Sequence, residues 1–302
     1  MQATYGTLVG YLGAPDRSTI TASCALAGGG ANLGSTCGVV TGGCLGITLA
    51  HLADILSQEA GKGEALYERL RDYTGWFEHE FGSTLCRERS GADLTRAAGV
   101  ADYLFTGKAV TNCVDHTGKA VAYLIEMMNR PLEGGGETSD LDRCLASSGG
   151  YCAAEVLKGV RTDTGYGSLH LEQISLAFDG GIGLSGGLCG ALAGALMPLG
   201  VIWGIDPKYK GFVGTLEPLA RGMINQLLER EEPELWSQAG HLMLEFKREF
   251  ASFECRDIVD RSFANGTELA EHMAGSPVCA QIKDWCRERT SALITANTVF
   301  SG

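Results

Sequence analysis

The most distinctive chemistry-bearing feature of this sequence is a cysteine motif that occurs twice. Cys189-Gly-Ala-Leu-Ala-Gly194 has a weaker upstream copy, Cys37-Gly-Val-Val-Thr-Gly42. The chain holds 11 cysteines in 302 residues. Thiols in a chain of this size more often bind metal or carry out redox chemistry than form a dense disulfide framework. Their recurrence at matched positions therefore favours a redox or metal-binding function.

Two further matches extend the repeat well beyond this motif. Cys86-Arg87 and Cys255-Arg256 each follow a Phe-x-x-x-Phe-x-Ser segment in the same register. Cys113 and Cys279 then follow after 27 and 24 residues. Repeats of this size indicate two packed units, so the chain is predicted to be a diverged tandem duplication.

A proline- and glycine-rich stretch at 131–140 marks the boundary between the two copies. We expect a first repeat at 1–130, a linker at 131–140 and a second repeat at 141–302, with Ser139 or Asp140 capping the helix that follows the linker. The longer second repeat is expected to carry an irregular loop around 204–218.

Helical periodicity dominates the rest of the chain. Apolar residues recur at three- and four-residue spacing in six segments, at 45–60, 64–81, 118–128, 216–231, 234–253 and 279–296. Strand-like alternation is scarce. The predicted fold class is therefore all-α, with two homologous helical bundles from an internal duplication.

Composition argues against several classes of partner. A net charge of −12 without a basic block disfavours nucleic acid and anionic membrane surfaces. The sequence contains no run of about 18 apolar residues, so no membrane span is predicted. The N-terminus lacks the basic and apolar regions of a secretory signal. We expect a cytoplasmic protein, or a periplasmic one if a signal peptide was trimmed.

Glycine-rich stretches precede the first motif in both copies, at 28–34 and 180–187. Because glycine is a poor helix former, each stretch is predicted to be a loop that leads into a helix and places Cys37 or Cys189 at its N-terminus. The macrodipole and free amides there favour a thiolate. Gly190 and Gly194 lie on one helical face, where they either let a cofactor approach or allow close helix packing.

Other residues near the cysteines are weaker candidates. Arg87 and Arg256 either lower a thiol pKa and neutralise a negative cluster or cap a helix C-terminus, and Arg256 is predicted to contact the cofactor. His116 and His272 do not recur between the repeats, and surface positions are the preferred interpretation for both. Four cysteines without counterparts are expected to be small buried hydrophobes, namely Cys24, Cys44, Cys144 and Cys286.

The second repeat resembles the C-GCAxxG-C-C family of redox-active proteins. That family has an early Cys before Ala, a Cys-Gly-Ala-x-x-Gly element, a Cys-Arg after a Phe-rich helix and a last Cys, which match Cys152, Cys189, Cys255 and Cys279. The same module resembles the helical part of split-Soret cytochromes c. The resemblance implies that these four thiolates bind an iron–sulfur cluster.

The first repeat departs from this pattern. Its later cysteines match, at Cys37, Cys86 and Cys113, whereas Tyr5-Gly6 aligns with Tyr151-Cys152 and Val39 replaces the motif alanine. Three thiolates cannot complete a cluster that requires four. Either Cys24 or Cys44 substitutes for the missing ligand, or this repeat has lost its centre.

Dispersed thiolates from separate helices suit a [2Fe–2S] or [4Fe–4S] cluster. No Cys-x-x-Cys pair is present for a zinc ribbon or thioredoxin-type site, and no Cys-x-x-Cys-His run for covalent haem. The leading hypothesis is an electron-transfer protein that works with a redox partner protein, and a homodimer is compatible with it. The alternatives are metal-free thiol–disulfide chemistry with Cys189 as a low-pKa thiolate, and a non-catalytic helical scaffold.

Overall fold

The computed structural model describes residues 1–14, 16–93, 96, 98–99, 102–103, 106–107, 109–148, 150–206, 221, 224–225, 228, 230 and 232–298. Among the residues that the structure describes, helices make up about 70%. Within the described residues there is no strand, only two isolated β-bridges. The predicted all-α class is confirmed.

The six described helices of the first repeat have counterparts in the same order in the second repeat, which also contains two additional helices. Those of the first repeat are α1 (Gln2–Leu12), α2 (Arg17–Ala22), α3 (Gly38–Leu56), α4 (Lys62–Phe81), α5 (Cys86–Ser90) and α6 (Asp115–Met128). Those of the second are α7 (Asp140–Ser148), α8 (Ala153–Thr164), α9 (Leu169–Ile174), α10 (Gly190–Trp203), α11 (Leu235–Phe250), α12 (Cys255–Val259), α13 (Gly266–Gly275) and α14 (Pro277–Thr298). The additional helices are α7 and α13. A 3-10 helix follows α2 at Ser23–Leu26 and another follows α9 at Ser175–Phe178, while a π-helical turn, Ala109–Val114, leads into α6.

Five of the six predicted helices are present. The sixth, at 216–231, lies largely outside the described residues, as does the expected loop beyond Asp206. Helix α3 starts at Gly38, seven residues before its predicted start, although its first two turns contain several glycines. Their small size is needed there, because a Cβ at Gly43 would come within 2.4 Å of the Tyr73 ring. Tertiary packing outweighs the low helix propensity of glycine in this segment.

The core is centred on α3 and α10, which are buried on nearly every face. Helices α1, α4 and α6 surround α3, and α8 and α14 surround α10. Among the described helices, α3 is long and apolar enough to cross a membrane by length and composition, but 67% of its most apolar window is buried inside the chain. A helix that is apolar all round is typical of a protein core as well as of a membrane span.

The repeats exchange structural elements across their interface. Helix α2 and the 3-10 helix Ser23–Leu26 pack on α10 of the second repeat, and α9 and the 3-10 helix Ser175–Phe178 pack on α3 of the first. The buried side chains therefore form one continuous hydrophobic cluster. The domain limits at 130 and 141 stay a prediction.

The segment at 131–140 is packed against the first repeat. Leu132 is only 3% exposed, and its carbonyl oxygen accepts a hydrogen bond of 2.7 Å from Lys62 Nζ. The hydroxyl of Ser139 accepts a 3.1 Å hydrogen bond from the Asp142 N–H at the start of α7. The expected cap at this helix is thereby found at Ser139.

Asp142 ties the two repeats together. Its carboxylate accepts hydrogen bonds from the N–H groups of Gly61 (3.1 Å) and Gly63 (2.9 Å) at the start of α4, and from Ser139. Burial opposes ionisation of Asp142, but these hydrogen bonds outweigh it and lower the pKa of the carboxyl below its ordinary value of 3.8.

The variant Asp142→Ala should lower the free energy of unfolding by about 2–4 kcal/mol, because it leaves several donors in a buried region without an acceptor. The measurement is urea unfolding at pH 7, compared with Asp140→Ala, which removes a fully exposed carboxylate and should change stability by less than about 0.5 kcal/mol. The contribution of a carboxyl with a depressed pKa is present above its unfolded-state pKa and is lost as the pH falls through the lower folded-state value. The deficit of Asp142→Ala should therefore shrink below about pH 4, and a deficit that persists at full size in acid would contradict this assignment.

Candidate functional site

The chain enters the central helix of each repeat through a left-handed turn. In the second repeat positive φ angles occur at Gly180, Gly181, Ile182, Gly183, Leu184 and Gly186, and the first repeat has the same pattern at Gly28, Gly29, Gly30, Ala31, Asn32 and Gly34. Hydrogen bonds from the N–H groups of Gly183 and Ala31 to the carbonyl oxygens of Ala177 and Ala25 close the turns. Each turn delivers its cysteine, Cys37 or Cys189, as the N-cap of α3 or α10. The predicted loop and helix N-terminus are thus confirmed in both copies.

A pair of backbone hydrogen bonds joins the two motif cysteines of the second repeat. The Cys189 N–H donates to the Phe253 carbonyl (2.8 Å), and the Cys255 N–H donates to the Gly187 carbonyl (2.6 Å). These residues flank the isolated bridge between Leu188 and Glu254. Cys255 does not end a helix, as its register after the phenylalanines suggests, but begins α12 four residues after the C-cap of α11.

The first repeat contains the same bridge at the corresponding positions. The Cys37 N–H donates to the Thr84 carbonyl and the Cys86 N–H to the Ser35 carbonyl, each at 2.7 Å. Positions 35 and 187 are therefore structural counterparts, as are positions 36 and 188. The sequence alignment of the motif cysteines holds in three dimensions.

The four cysteines predicted as ligands in the second repeat line one recess, called here the second recess. Cys152 and Cys189 are the N-caps of α8 and α10, Cys255 opens α12, and Cys279 lies in the first turn of α14. The recess measures about 400 Å³ including its mouth. Four separate helices thus bring the four thiols to the same cavity.

The remaining lining of the second recess is almost entirely apolar, including Ile258, Val259, Phe263, Leu269, Met273 and Ile282. The exception nearest a thiol is His272, whose Nε2 lies 3.7 Å from Cys279 Sγ. Burial lowers the pKa of His272, so its imidazole is neutral at pH 7. His272 is half-buried and lines the second recess, so the plain surface position preferred from sequence does not describe it fully. His116 is also half-buried, and it contacts Phe81 and Arg89 away from the second recess.

Asp179 is a site residue that the sequence reasoning missed. Its fully buried carboxylate accepts hydrogen bonds from Tyr67 Oη (2.7 Å), the Tyr151 N–H (3.0 Å) and the Cys152 N–H (2.9 Å). Burial raises its pKa although these donors oppose the shift. Asp179 therefore fixes the backbone of Cys152 from inside the core. The available signal was that Asp179 is the only charged residue between Glu172 and Asp206.

Burial governs the thiols more strongly than the helix termini do. The backbone amides of Ala191 and Leu192 act to lower the pKa of the Cys189 thiol, yet burial has the larger effect and raises it to about 11. Burial also raises the pKa values of Cys152 and Cys255 well above the ordinary thiol value. The free thiol of Cys189 is therefore protonated at pH 7, in contrast to the low-pKa thiolate that its helix position alone favours.

A second group of cysteines lines a separate cavity in the first repeat, called here the first recess. These are Cys24, Cys37, Cys86 and Cys113. Cys113 lies in the π-helical turn that packs on α5, the helix that begins with Cys86. Of the two substitute ligands considered from sequence, Cys24 reaches the recess. Cys44 is buried elsewhere, against Gly183.

The alignment of Tyr5-Gly6 with Tyr151-Cys152 is wrong. A Cβ at Gly190 would come within 2.8 Å of Cys152 Cβ, and a Cβ at the equivalent Gly38 would come within 2.9 Å of Met1 Cβ. Met1 therefore occupies the place of Cys152, because α1 and α8 correspond from their first residues onward. Tyr5 lies one turn further along α1 and donates a 2.6 Å hydrogen bond to Asp16.

The other cysteines without counterparts are not all alike. Cys44 and Cys286 are fully buried, as expected, whereas Cys144 is half-buried. Cys24 is buried too, at 4% exposure, but it faces the first recess. All eleven cysteines are free thiols.

The predicted cofactor-contacting residues have different surroundings. Gly190 lines the second recess, whereas Gly194 packs against Ala153 of α8. The side-chain stem of Arg256 lies over Gly186. A direct role of Gly190, Gly194 and Arg256 toward a cofactor stays a prediction.

Two polar contacts connect the residues beside the two recesses. The Leu188 N–H donates a 2.7 Å hydrogen bond to Thr36 Oγ1, and these residues immediately precede Cys189 and Cys37. Arg87 Nη1 pairs with Glu254 Oε1 at 2.7 Å. The charge of Arg87 is thus directed at the other repeat, away from its own cysteine.

The donor set suits a cluster better than a single ion. No three His, Cys, Asp or Glu side chains of the described residues are grouped so that they could hold one metal ion. In an iron–sulfur cluster the thiolates bind different iron atoms, so they need not meet at one point. The four thiols of the second recess, within an apolar wall, fit that kind of group by type and number.

Comparison with protein families bears on the same cysteines. A family model described as "Putative redox-active protein (C_GCAxxG_C_C)" matches residues 1–127 and 150–293. The chain belongs to this family. The two matched regions confirm that this C_GCAxxG_C_C protein is a tandem duplication. No curated protein and no solved structure matches the chain.

The variant Gly190→Ala should destabilise the protein by about 1–3 kcal/mol, because the added methyl group would collide with the Phe178 carbonyl and with Cys152. Gly75→Ala is a matched control, since Gly75 lies on an exposed face of α4 with open space around it. That substitution should stabilise the protein by about 0.5–1 kcal/mol through helix propensity alone. Thermal unfolding measures the change in stability of both variants. An unchanged stability of Gly190→Ala would show that Gly190 is not packed tightly against Phe178 and Cys152.

Proposed function

We propose that this protein is a one-electron carrier whose second repeat binds an iron–sulfur cluster through Cys152, Cys189, Cys255 and Cys279. The observation that carries the proposal is that four thiols from four helices line one apolar recess. Soft thiolate ligands select iron–sulfur or zinc centres among biological metals. A redox-active family assignment favours iron over zinc, which has no redox chemistry.

The electrostatics of the second recess suit a negatively charged group. Cys152 and Cys189 cap the N-termini of two long helices, and Cys279 lies in the first turn of a third. The positive ends of helix dipoles stabilise negative charge within about one turn. The backbone amides of Ala191 and Leu192 act on the Cys189 thiol in the same direction. The site therefore supports thiolates once a metal replaces their protons.

The apolar wall supports electron transfer rather than substrate turnover. A dry surrounding excludes water from the metal–sulfur bonds and influences the reduction potential. A cluster held there would accept and pass on one electron at a time, without a bond to substrate being made or broken. Donor and acceptor are then separate redox partner proteins, and the many free thiols suit a reducing cytoplasm.

A second candidate function is metal-free thiol–disulfide chemistry. The contact that favours it joins the neutral imidazole of His272 to the thiol of Cys279. In that case His272 accepts the proton of Cys279, whose thiolate attacks a partner's disulfide, forms a mixed disulfide and releases one partner thiolate. A second cysteine of the recess then displaces the other partner thiolate, so that this chain is oxidised and the partner reduced by two electrons. Metal-free protein that titrates reversibly with two electrons, and loses this behaviour in His272→Ala, would support the second candidate.

Protein prepared without oxygen is expected to contain iron and acid-labile sulfide. Cys279→Ala should lower both by at least half, because one of four thiolates in the second recess is lost. This cysteine is only half-buried, so its removal leaves the core intact. Iron, zinc and sulfide analysis with visible absorption spectra provides the measurement.

The matched control is Cys44→Ala, which removes a fully buried cysteine that lines neither recess. It should leave the iron and sulfide contents unchanged. Wild-type protein without iron or sulfide, or protein that binds zinc alone, contradicts the proposed function.

A further inference from the structure

The first recess contains the same kind of donor set as the second, with one difference. Cys37 and Cys86 are joined by the same backbone bridge as their counterparts, and Cys113 approaches them from the π-helical turn. Met1 stands where the second repeat has Cys152. The inherited pattern therefore supplies three thiols to a cavity of about 1340 Å³, including its open mouth.

A fourth thiol reaches this cavity from a different element. Cys24 belongs to the 3-10 helix Ser23–Leu26, lines the first recess and is 4% exposed. The backbone of Ile205 lies close to its sulfur and opposes the rise in its pKa, as the backbones of Val39 and Val40 do at Cys37. In the register of the left-handed turns, the counterpart of Cys24 is Leu176. This thiol is thus specific to the first repeat.

We propose that the first recess binds a second iron–sulfur cluster, with Cys24 replacing the missing counterpart of Cys152 beside Cys37, Cys86 and Cys113. The proposal rests on the proposed function, because it assigns the same chemistry to the other repeat. It differs from a copy of the second site in its ligand set and in its hydrogen-bond donors.

Asn32 independently indicates a bound group. It lines the first recess, is 8% exposed, and its side-chain Nδ2 has no hydrogen-bond partner. A buried donor without an acceptor is destabilising. A cluster sulfide or a coordinated thiolate is an acceptor that removes this cost. The counterpart of Asn32 is Leu184, which has no donor and has a similar left-handed φ of 59° against 63°.

Tyr103 adds another donor on the same side. Its hydroxyl donates a 2.8 Å hydrogen bond to Cys113 Sγ. Hydrogen bonds to cluster or ligand sulfur stabilise the more negative, reduced state and raise the reduction potential. Tyr103 and Asn32 would therefore raise the reduction potential of a centre in the first recess.

The contact between the repeats lies between the two proposed centres. Thr36 and Leu188, which precede a proposed ligand of each centre, are joined by a 2.7 Å hydrogen bond. Clusters held by these residues would exchange one electron between the repeats, with no proton transferred and in the direction of the higher potential.

The test measures iron and acid-labile sulfide in anaerobically prepared full-length variants. Wild-type protein should contain two clusters per chain. Cys24→Ala and Cys113→Ala should each lose half of the iron, Cys279→Ala the other half, and Cys24→Ala combined with Cys279→Ala all of it. Cys113 is partly exposed, so its variant serves if Cys24→Ala does not fold.

Each outcome separates this inference from the proposed function. Iron that is unchanged in Cys24→Ala overturns the inference, even where it halves in Cys113→Ala. Iron that disappears completely in Cys279→Ala shows one centre, so the proposed function stands and the inference fails. Wild-type protein without iron contradicts both.

Asn32→Leu tests the donor without removing a ligand, and Leu184 shows that leucine tolerates this backbone conformation. The variant should keep its full iron content and lower the reduction potential of one centre only. Redox titration followed by electron paramagnetic resonance distinguishes the two centres. Unchanged potentials would count against a cluster beside Asn32.

Discussion

Two backbone hydrogen bonds in each repeat hold the motif cysteines together, and the site depends on them. In the second repeat they join Cys189 to Phe253 and Cys255 to Gly187. They form only because the left-handed turn before α10 directs the Gly187 carbonyl toward the start of α12. Non-glycine residues in such a turn cost about 1–2 kcal/mol each, and Ile182 and Leu184 offset that cost by burying their side chains in the core. The turn, the central helix and the thiol pair are therefore one structural unit.

Burial gives these thiols their chemical character. A helix N-terminus stabilises a thiolate, but removal of water favours the neutral thiol, and at Cys189 the second effect is larger. Metal binding reverses the outcome, because the metal replaces the thiol protons. The amide groups at the helix N-terminus then stabilise a permanent negative charge on sulfur. The free thiols of such a site are therefore mostly protonated, whereas the metal-bound site carries thiolates. His272, whose Nε2 lies 3.7 Å from Cys279 Sγ, is positioned to accept the proton of that thiol.

Local pattern determined much of what could be predicted. The duplication, the all-α class and the helix N-terminal positions of Cys37 and Cys189 follow from patterns within the sequence, whereas the four-thiol set of the second repeat rests on the family resemblance. The exchange of α2 and α9 between the repeats does not, because it arises from packing between distant segments. The same limit explains Asp179 and Cys24, whose partners lie far along the chain, and the misaligned Tyr5, where a local Tyr-x match outweighed the true register of α1. The predicted helix begins seven residues after the start of α3 at Gly38, because helix propensity does not show that the glycines of its first turns are needed for packing.

The hydroxyl of Thr36 lies in a space that exists because residue 187 has no side chain. A Cβ at Gly187 would come within 2.1 Å of that oxygen. Two copies of the first half would place Ser35 in the position of Gly187 and collide with the hydroxyl. Two copies of the second half would present Leu188 in the position of Thr36 and offer no acceptor for the amide. Each half therefore recognises the other and rejects itself, and joining them in one polypeptide secures a one-to-one pairing that separate subunits have to reach by sorting.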